Sequence, residues 1–267
     1  MDTGERLQII MSNGGRGRLK KEVLKLWGIF IFFLLVWVIA NLFNMNILWF
    51  VIVGVIAIRY IVKEKNIDRK DIIIACAFGF VSIPSAFVSG FIPSELIMGI
   101  VTIPAYLGAM SILKSSNNEV FLMKSGKKEI AISFSIAIGI GSILGVINLL
   151  LANYPINLSV RLKWFLDAIN AGVTEEIIFR LFFFAICVAI VKDKKMSKAE
   201  SVMSYLIMTI PHVLIHFNFE TVNLGSVIVL FVLFGLPFAV LQRKRDLTSA
   251  IVAHSVVDVI RFVVVGM

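Results

Sequence analysis

Long apolar runs separated by short charged loops make up most of this chain. Runs at 26–43, 45–62, 71–91, 95–113, 130–151, 164–191, 201–217, 224–242 and 248–265 stand out. At a helical rise of about 1.5 Å per residue, runs of this length cross the ~30 Å hydrocarbon core of a bilayer. They are continuous, whereas the strands of a membrane β-barrel alternate over ~10 residues. The predicted fold is therefore all-α, a polytopic integral membrane helical bundle of eight or nine transmembrane helices. The first two runs form a tight hairpin around Asn44-Met45-Asn46. Ahead of them, residues 1–25 carry Arg6, Arg16, Arg18, Lys20, Lys21 and Lys25 and read as a flexible or surface-lying cytoplasmic segment. The run that follows has no small-residue cleavage site, so a retained first span is expected.

Composition agrees. Of 267 residues 59% are hydrophobic, and the mean hydropathy is +0.94, whereas soluble domains are nearer ~45–50% apolar. The net charge of +9 does not point to nucleic acid, because 22 of the 26 basic residues sit at the N-terminus and in every second loop after it, on one side of the predicted spans. Those loops are the N-terminus and residues 59–70, 114–128, 192–198 and 243–245. The positive-inside rule then predicts a cytoplasmic N-terminus, and nine spans put the C-terminus outside. Cys76 and Cys187 fall within apolar runs, so neither a disulfide framework nor a cysteine metal site is suggested.

The chain changes character near residue 155. The spans of 26–154 contain Pro84, Pro93, Pro104, Gly139, Gly141 and Gly145 but almost no ionisable groups. Gly141 and Gly145 form a GxxxG pattern, read as ordinary close helix packing. Asn153-Tyr154-Pro155-Ile156-Asn157 is a linker, and Arg161, Lys163 and Trp164 suit an interfacial segment. In 155–267 every span but 224–242 carries ionisable groups. An ionised side chain at the bilayer centre costs about 2.5–3.5 kcal/mol on insertion scales, which makes such groups a functional site by default.

Three pairs at i, i+4 share helix faces: Glu176 with Arg180, His212 with His216, and His254 with Asp258. Arg180 is expected to neutralise and pin Glu176. Glu175, offset by about 100° of helix rotation, faces elsewhere and is free to act as a general base. Asp258 suits orientation of the His254 ring. Pro211 is expected to loosen its helix just before His212. Converging, these groups make either a water-activating site or a metal site, for which zinc is the natural ion. Apart, they are interhelical hydrogen-bonding pairs that hold the bundle together. His216 comes out nearer the outer face than Glu175 and His254, which implies a longer helix there or a break at Pro211.

Glu-Glu-x-x-x-Arg at 175–180, a histidine closing a membrane helix at 216, and His-x-x-x-Asp at 254–258 resemble the three motifs of the CAAX protease and bacteriocin-processing family, also called the Abi domain. The resemblance spans about residues 155–265 and implies an intramembrane endopeptidase. It implies that Glu175 and His216 activate water, that His254 and Asp258 stabilise the oxyanion, and that Glu176 and Arg180 support the site. It favours a metal-free hydrolysis without a covalent intermediate; zinc stays open. His212 departs from the pattern, standing where the family usually has an aromatic; it is a spare ligand, a proton relay or, the favoured reading, a neutral replacement for a packing ring. An ionised Asp258 cannot donate to an oxyanion, so it must be protonated or act by orienting His254. The expected partners are the lipid bilayer and a peptide or membrane-protein substrate, with no nucleic acid. A bacterial cell membrane and a role in bacteriocin processing or self-immunity fit the resemblance. Prenylated tails are a eukaryotic signature and are not expected here. A non-catalytic scaffold of the same fold and a proton-coupled transporter are the competing functions. The transporter would show inverted repeats, and the chain has no internal repeat.

Overall fold

The computed structural model describes residues 3–89, 93–116, 118, 120, 122–152, 155–192 and 195–266, with backbone alone for 3–20 and for residue 152. Its elements are α1 (Thr3–Leu42), α2 (Ile47–Glu64), α3 (Arg69–Phe80), α4 (Ser82–Val88), α5 (Pro93–Leu113), α6 (Lys127–Ala152), α7 (Leu162–Glu175), a π-helical segment Glu176–Leu181, α8 (Phe182–Val191), α9 (Lys198–Leu214), α10 (Leu224–Leu230), a second π-helical segment Phe231–Gly235, α11 (Leu236–Lys244) and α12 (Leu247–Val265). No strand occurs among the described residues. The fold is the all-α polytopic membrane bundle that the apolar runs predict.

Six of the described stretches are long and apolar enough to cross a membrane: Lys21–Leu42, Arg69–Val88, Pro93–Leu113, Lys127–Leu151, Leu224–Lys244 and Leu247–Val265. Three other predicted spans are helical but differ in kind. The α2 helix ends in Arg59, Lys63 and Glu64. The run 164–191 is interrupted by the π-helical segment and carries the acid pair and Arg180. The α9 helix has 17 residues. By length and composition, then, the count of eight or nine is not reached. The backbone of the basic N-terminal segment is helical from Thr3 and continuous with the first span in α1. The side chains of Arg6, Arg16, Arg18 and Lys20, and linker residues Asn153 and Tyr154, lie outside the described residues.

The axis of the bundle is the composite helix from α7 to α8. Ile177, Ile178, Phe179, Phe182, Phe183, Ala185 and Cys187 are all fully buried, as a run apolar on every face must be. The α5, α9, α1 and α12 helices pack against this axis. The Phe33 ring of α1 stacks on Phe183 with centroids 4.0 Å apart, so both halves of the chain share one core.

Small residues set the close approaches. A Cβ on Gly141 would lie 2.6 Å from the Ala253 carbonyl oxygen, and one on Gly172 would lie 2.9 Å from that of Ile251. Glycines therefore let α6 and α7 lie directly on α12, and the GxxxG is packing. Loop ends are held by side chains. Asp68 and Asp71 form a capping box at α3, which Lys114 bridges at 2.7 and 2.5 Å. Asp246 caps α12, accepting from Ser249 N at 2.7 Å and from Ser133 Oγ of α6 at 2.7 Å.

Candidate active site

The polar pairs converge. Glu175 ends α7 and Glu176 opens the π-helical segment, so the two carboxylates part company. Glu176 turns inward, fully buried, and accepts from Arg180 Nη1, itself buried. The Arg180 guanidinium also lies over the Phe238 ring, 5.3 Å from its centroid. Glu175 keeps 15% of its side chain exposed and faces a cavity of about 430 Å³. The two carboxylates thus face different surroundings, in keeping with their helical offset.

Two histidines reach the acids from other helices. His212 Nε2 lies 2.7 Å from Glu175 Oε2. Its ring stacks on Phe179 at 5.1 Å and 14°. It thus packs as an aromatic would, as its reading as a replacement ring anticipates, and it also holds Glu175, which that reading omits. His254 Nδ1 lies 2.8 Å from Glu176 Oε1, and its Nε2 lies 3.7 Å from Glu175 Oε2. Its ring stacks on Phe238 at 5.0 Å and 11°. Two aromatic platforms therefore fix two imidazoles edge-on to the acid pair.

His216 and Asp258 complete the cavity lining. The α9 helix runs through Pro211 and ends at Leu214, so the proline does not break it, and His216 follows in an exposed turn. Trp37 Nε1 of α1 donates to the Phe217 carbonyl at 3.1 Å and ties that turn down. The His216 ring lies 5.4 Å from that of His212. Asp258 Oδ2 lies 3.5 Å from His254 Nε2, an ion-pair distance. The shorter contact of the His254 ring is the one to Glu176, at Nδ1. The i, i+4 spacing suggested Asp258 because spacing within one helix says nothing about a carboxylate arriving from another.

The cavity has walls that motif reading passed over. Leu230, Phe234, Gly235 and Phe238 come from the one late span without ionisable groups, and Asn148 and Arg261 also line it. Nothing in an apolar run marks it as a cavity wall.

Ligand atoms of Glu175, His212 and His216 lie within 4.8 Å of one another and could hold a metal ion. Histidine and carboxylate suit zinc. The surroundings suit it less, since His212 Nδ1 is buried with no hydrogen-bond partner, whereas a metal-bound histidine normally donates its second N–H to an acceptor.

Residues 157–260 match the family model described as type II CAAX prenyl endopeptidase Rce1-like. The matched segment contains Glu175, Glu176, Arg180, His212, His216, His254 and Asp258. The resemblance read from three short motifs therefore holds for this segment, and at the level of the family it is a resemblance to membrane proteases. No curated protein and no solved structure matches the chain.

Proposed function

We propose that this chain is an intramembrane endopeptidase that hydrolyses a peptide bond in a peptide or membrane-associated protein with water activated by Glu175. One observation carries the reading: Glu175, His212, His216, His254 and Asp258 all line a single cavity. Structural pairs serving only to join helices have no need to share one.

Glu175 is the general base. Its Oε2, 2.7 Å from His212 Nε2, is held on one side and open to the cavity on the other. Deprotonating water in an apolar site needs a base at hydrogen-bond distance. His216, on the exposed rim, assists that proton's transfer. The water attacks the peptide carbonyl without a covalent intermediate, and Glu175 returns the proton to the leaving amine. His254 serves the oxyanion. With Nδ1–H donated to Glu176, the doubly protonated ring presents Nε2–H to the developing charge. Asp258, 3.5 Å from that nitrogen, balances the ring's charge. Glu176 and Arg180 keep the ring in place. The setting is a bacterial cell membrane with a cytoplasmic N-terminus, and bacteriocin processing or self-immunity is the role that fits.

Comparing peptide termini in membranes and medium from cells carrying wild type and Glu175→Ala tests the activity. Termini present only with wild type support hydrolysis and identify the substrate. Equal termini, with the variant folded, would favour the non-catalytic scaffold. Hydrolysis unchanged after dialysis against a chelator is expected. Activity lost on chelation and restored by zinc would overturn the metal-free mechanism and turn attention to Glu175, His212 and His216 as ligands.

A further inference from the structure

Arg261 lines the cavity among Phe217, Leu230, Phe234 and Phe262, and the mechanism above does not use it. Its ionic neighbour among the described residues is Asp258, with Nη2 3.9 Å from Oδ1. That is too long for a hydrogen bond, and Asp258 also faces His254. Arg261 Nε is enclosed without an acceptor among the described residues. The guanidinium lies 4.8 Å from the Phe262 ring centroid, and 38% of the side chain is exposed. A planar, permanently charged fork whose Nε has no acceptor among the described residues therefore stands beside the apolar stretch of the wall formed by Phe217, Leu230, Phe234 and Phe262. Such a fork matches the two oxygens of a carboxylate.

We infer that Arg261 is a specificity-determining residue that anchors a carboxylate of the peptide substrate. The inference rests on the reading of this cavity as a peptidase site. Arg261 lies two turns beyond His254 on α12, about 10 Å along the axis. An extended chain covers that distance in about three residues. The anchored group is thus a few residues from the bond presented to Glu175. It is either the C-terminal carboxylate of the peptide or an acidic side chain near the cut. An arginine that only extends toward the membrane interface would be indifferent to peptide charge.

Binding decides this without turnover. The full chain carrying Glu175→Gln is placed in nanodiscs of neutral lipid. It is titrated with three dansyl-capped hexapeptides of leucine and alanine: a free acid, a C-terminal amide, and an amide with one internal glutamate. The free acid or the glutamate peptide should bind about tenfold more tightly than the plain amide, the scale of a charge-assisted hydrogen bond. Which of the two gains identifies the source of the carboxylate. Adding Arg261→Gln should abolish the preference. Equal affinities, no binding, or a preference that survives Arg261→Gln overturns the inference, and equal weakening of all three peptides assigns Arg261 a structural role instead. If wild type generates no new termini in cells, the peptidase reading falls while this preference stands or falls on its own measurement.

Discussion

Replacing Arg180 by methionine tests the inner half of the site. Glu176 and Arg180 are 0% and 1% exposed, so their ion pair is closed off from water. Removing the cation leaves Glu176 with His254 Nδ1, at 2.8 Å, as its hydrogen-bonding partner among the described residues. Breaking one side of a buried pair costs about 3–5 kcal/mol, and the surviving histidine contact places this case near ~3 kcal/mol. That is a large part of the ~5–15 kcal/mol that holds a typical protein folded. Exchanging both members of a buried pair for uncharged groups is often neutral. Glu176→Gln with Arg180→Met should therefore regain about 2 kcal/mol over Arg180→Met alone. Hydrolysis should not follow stability, because the double variant has removed the carboxylate that faces His254 Nδ1. Unfolding in mixed micelles titrated with dodecyl sulfate, followed by tryptophan fluorescence, measures the stabilities. A cost below about 1 kcal/mol for Arg180→Met, or a double variant no more stable than the single, would refute the assignment of Arg180 as the counter-ion of Glu176.

Three further outcomes follow from the same geometry. His212→Phe keeps the stack on Phe179 but loses the 2.7 Å contact with Glu175; a bond to a charged group is worth about 1.5–3 kcal/mol, so kcat should fall roughly 10–100-fold, and full activity would show that His212 only packs. Gly172→Val drives a side chain to within 2.9 Å of the Ile251 carbonyl oxygen and should cost about 1–3 kcal/mol, whereas Gly139→Val, with nothing within 4 Å, should leave the unfolding midpoint unmoved. Burial pushes the Asp246 carboxyl up, but hydrogen bonds from Ser249 and Ser133 outweigh it and hold the group below its ordinary range. A depressed carboxylate stabilises the fold above its unfolded value of ~3.9 and stops doing so as the pH falls through its folded value. Asp246→Asn should therefore cost about 1 kcal/mol at pH 7, with the gap to wild type closing toward acid; a gap independent of pH would contradict this account of the cap.

The apolar runs and the seven polar residues could be read from the chain because both follow from one physical fact. Charge inside a bilayer is expensive, so it is rare and appears where it has partners. What the chain could not show was which partners. Helical spacing paired Glu176 with Arg180, and the structure keeps that pair. The same rule paired His254 with Asp258, 3.5 Å from Nε2, but gave no sign that Glu176 meets Nδ1 of the same ring at 2.8 Å. Contacts such as His212 with Glu175 join residues 37 apart in sequence, and no periodicity within a helix encodes them. The polar N-terminal stretch carries no such periodicity either, and its glycines and charges do not show that the α1 backbone is helical from Thr3. The run 224–242 looked inert for lack of ionisable groups and became a wall of the cavity.

Both π-helical segments bear on that cavity. Glu176–Leu181 carries Arg180, and Phe231–Gly235 carries Phe234 and Gly235; all three residues line it. A π-helical segment is rarer than an α-helical one and recurs at functional sites. Here each changes what a helix can present. In the first, the widened turn lets one short stretch seat a buried guanidinium and carboxylate while Glu175, one residue earlier, stays open to the cavity. In the second, the wider turn falls where Gly235 meets α9: a Cβ on Gly235 would lie 3.3 Å from Thr209 Cβ and 3.5 Å from Val213 Cγ2, on the stretch of α9 that carries His212. An uninterrupted α-helix at either place would keep the apolar faces that make a membrane bundle. The irregular helix at Glu176–Leu181 thus begins where two neighbouring glutamates take different surroundings, Glu176 held by Arg180 and Glu175 open to the cavity.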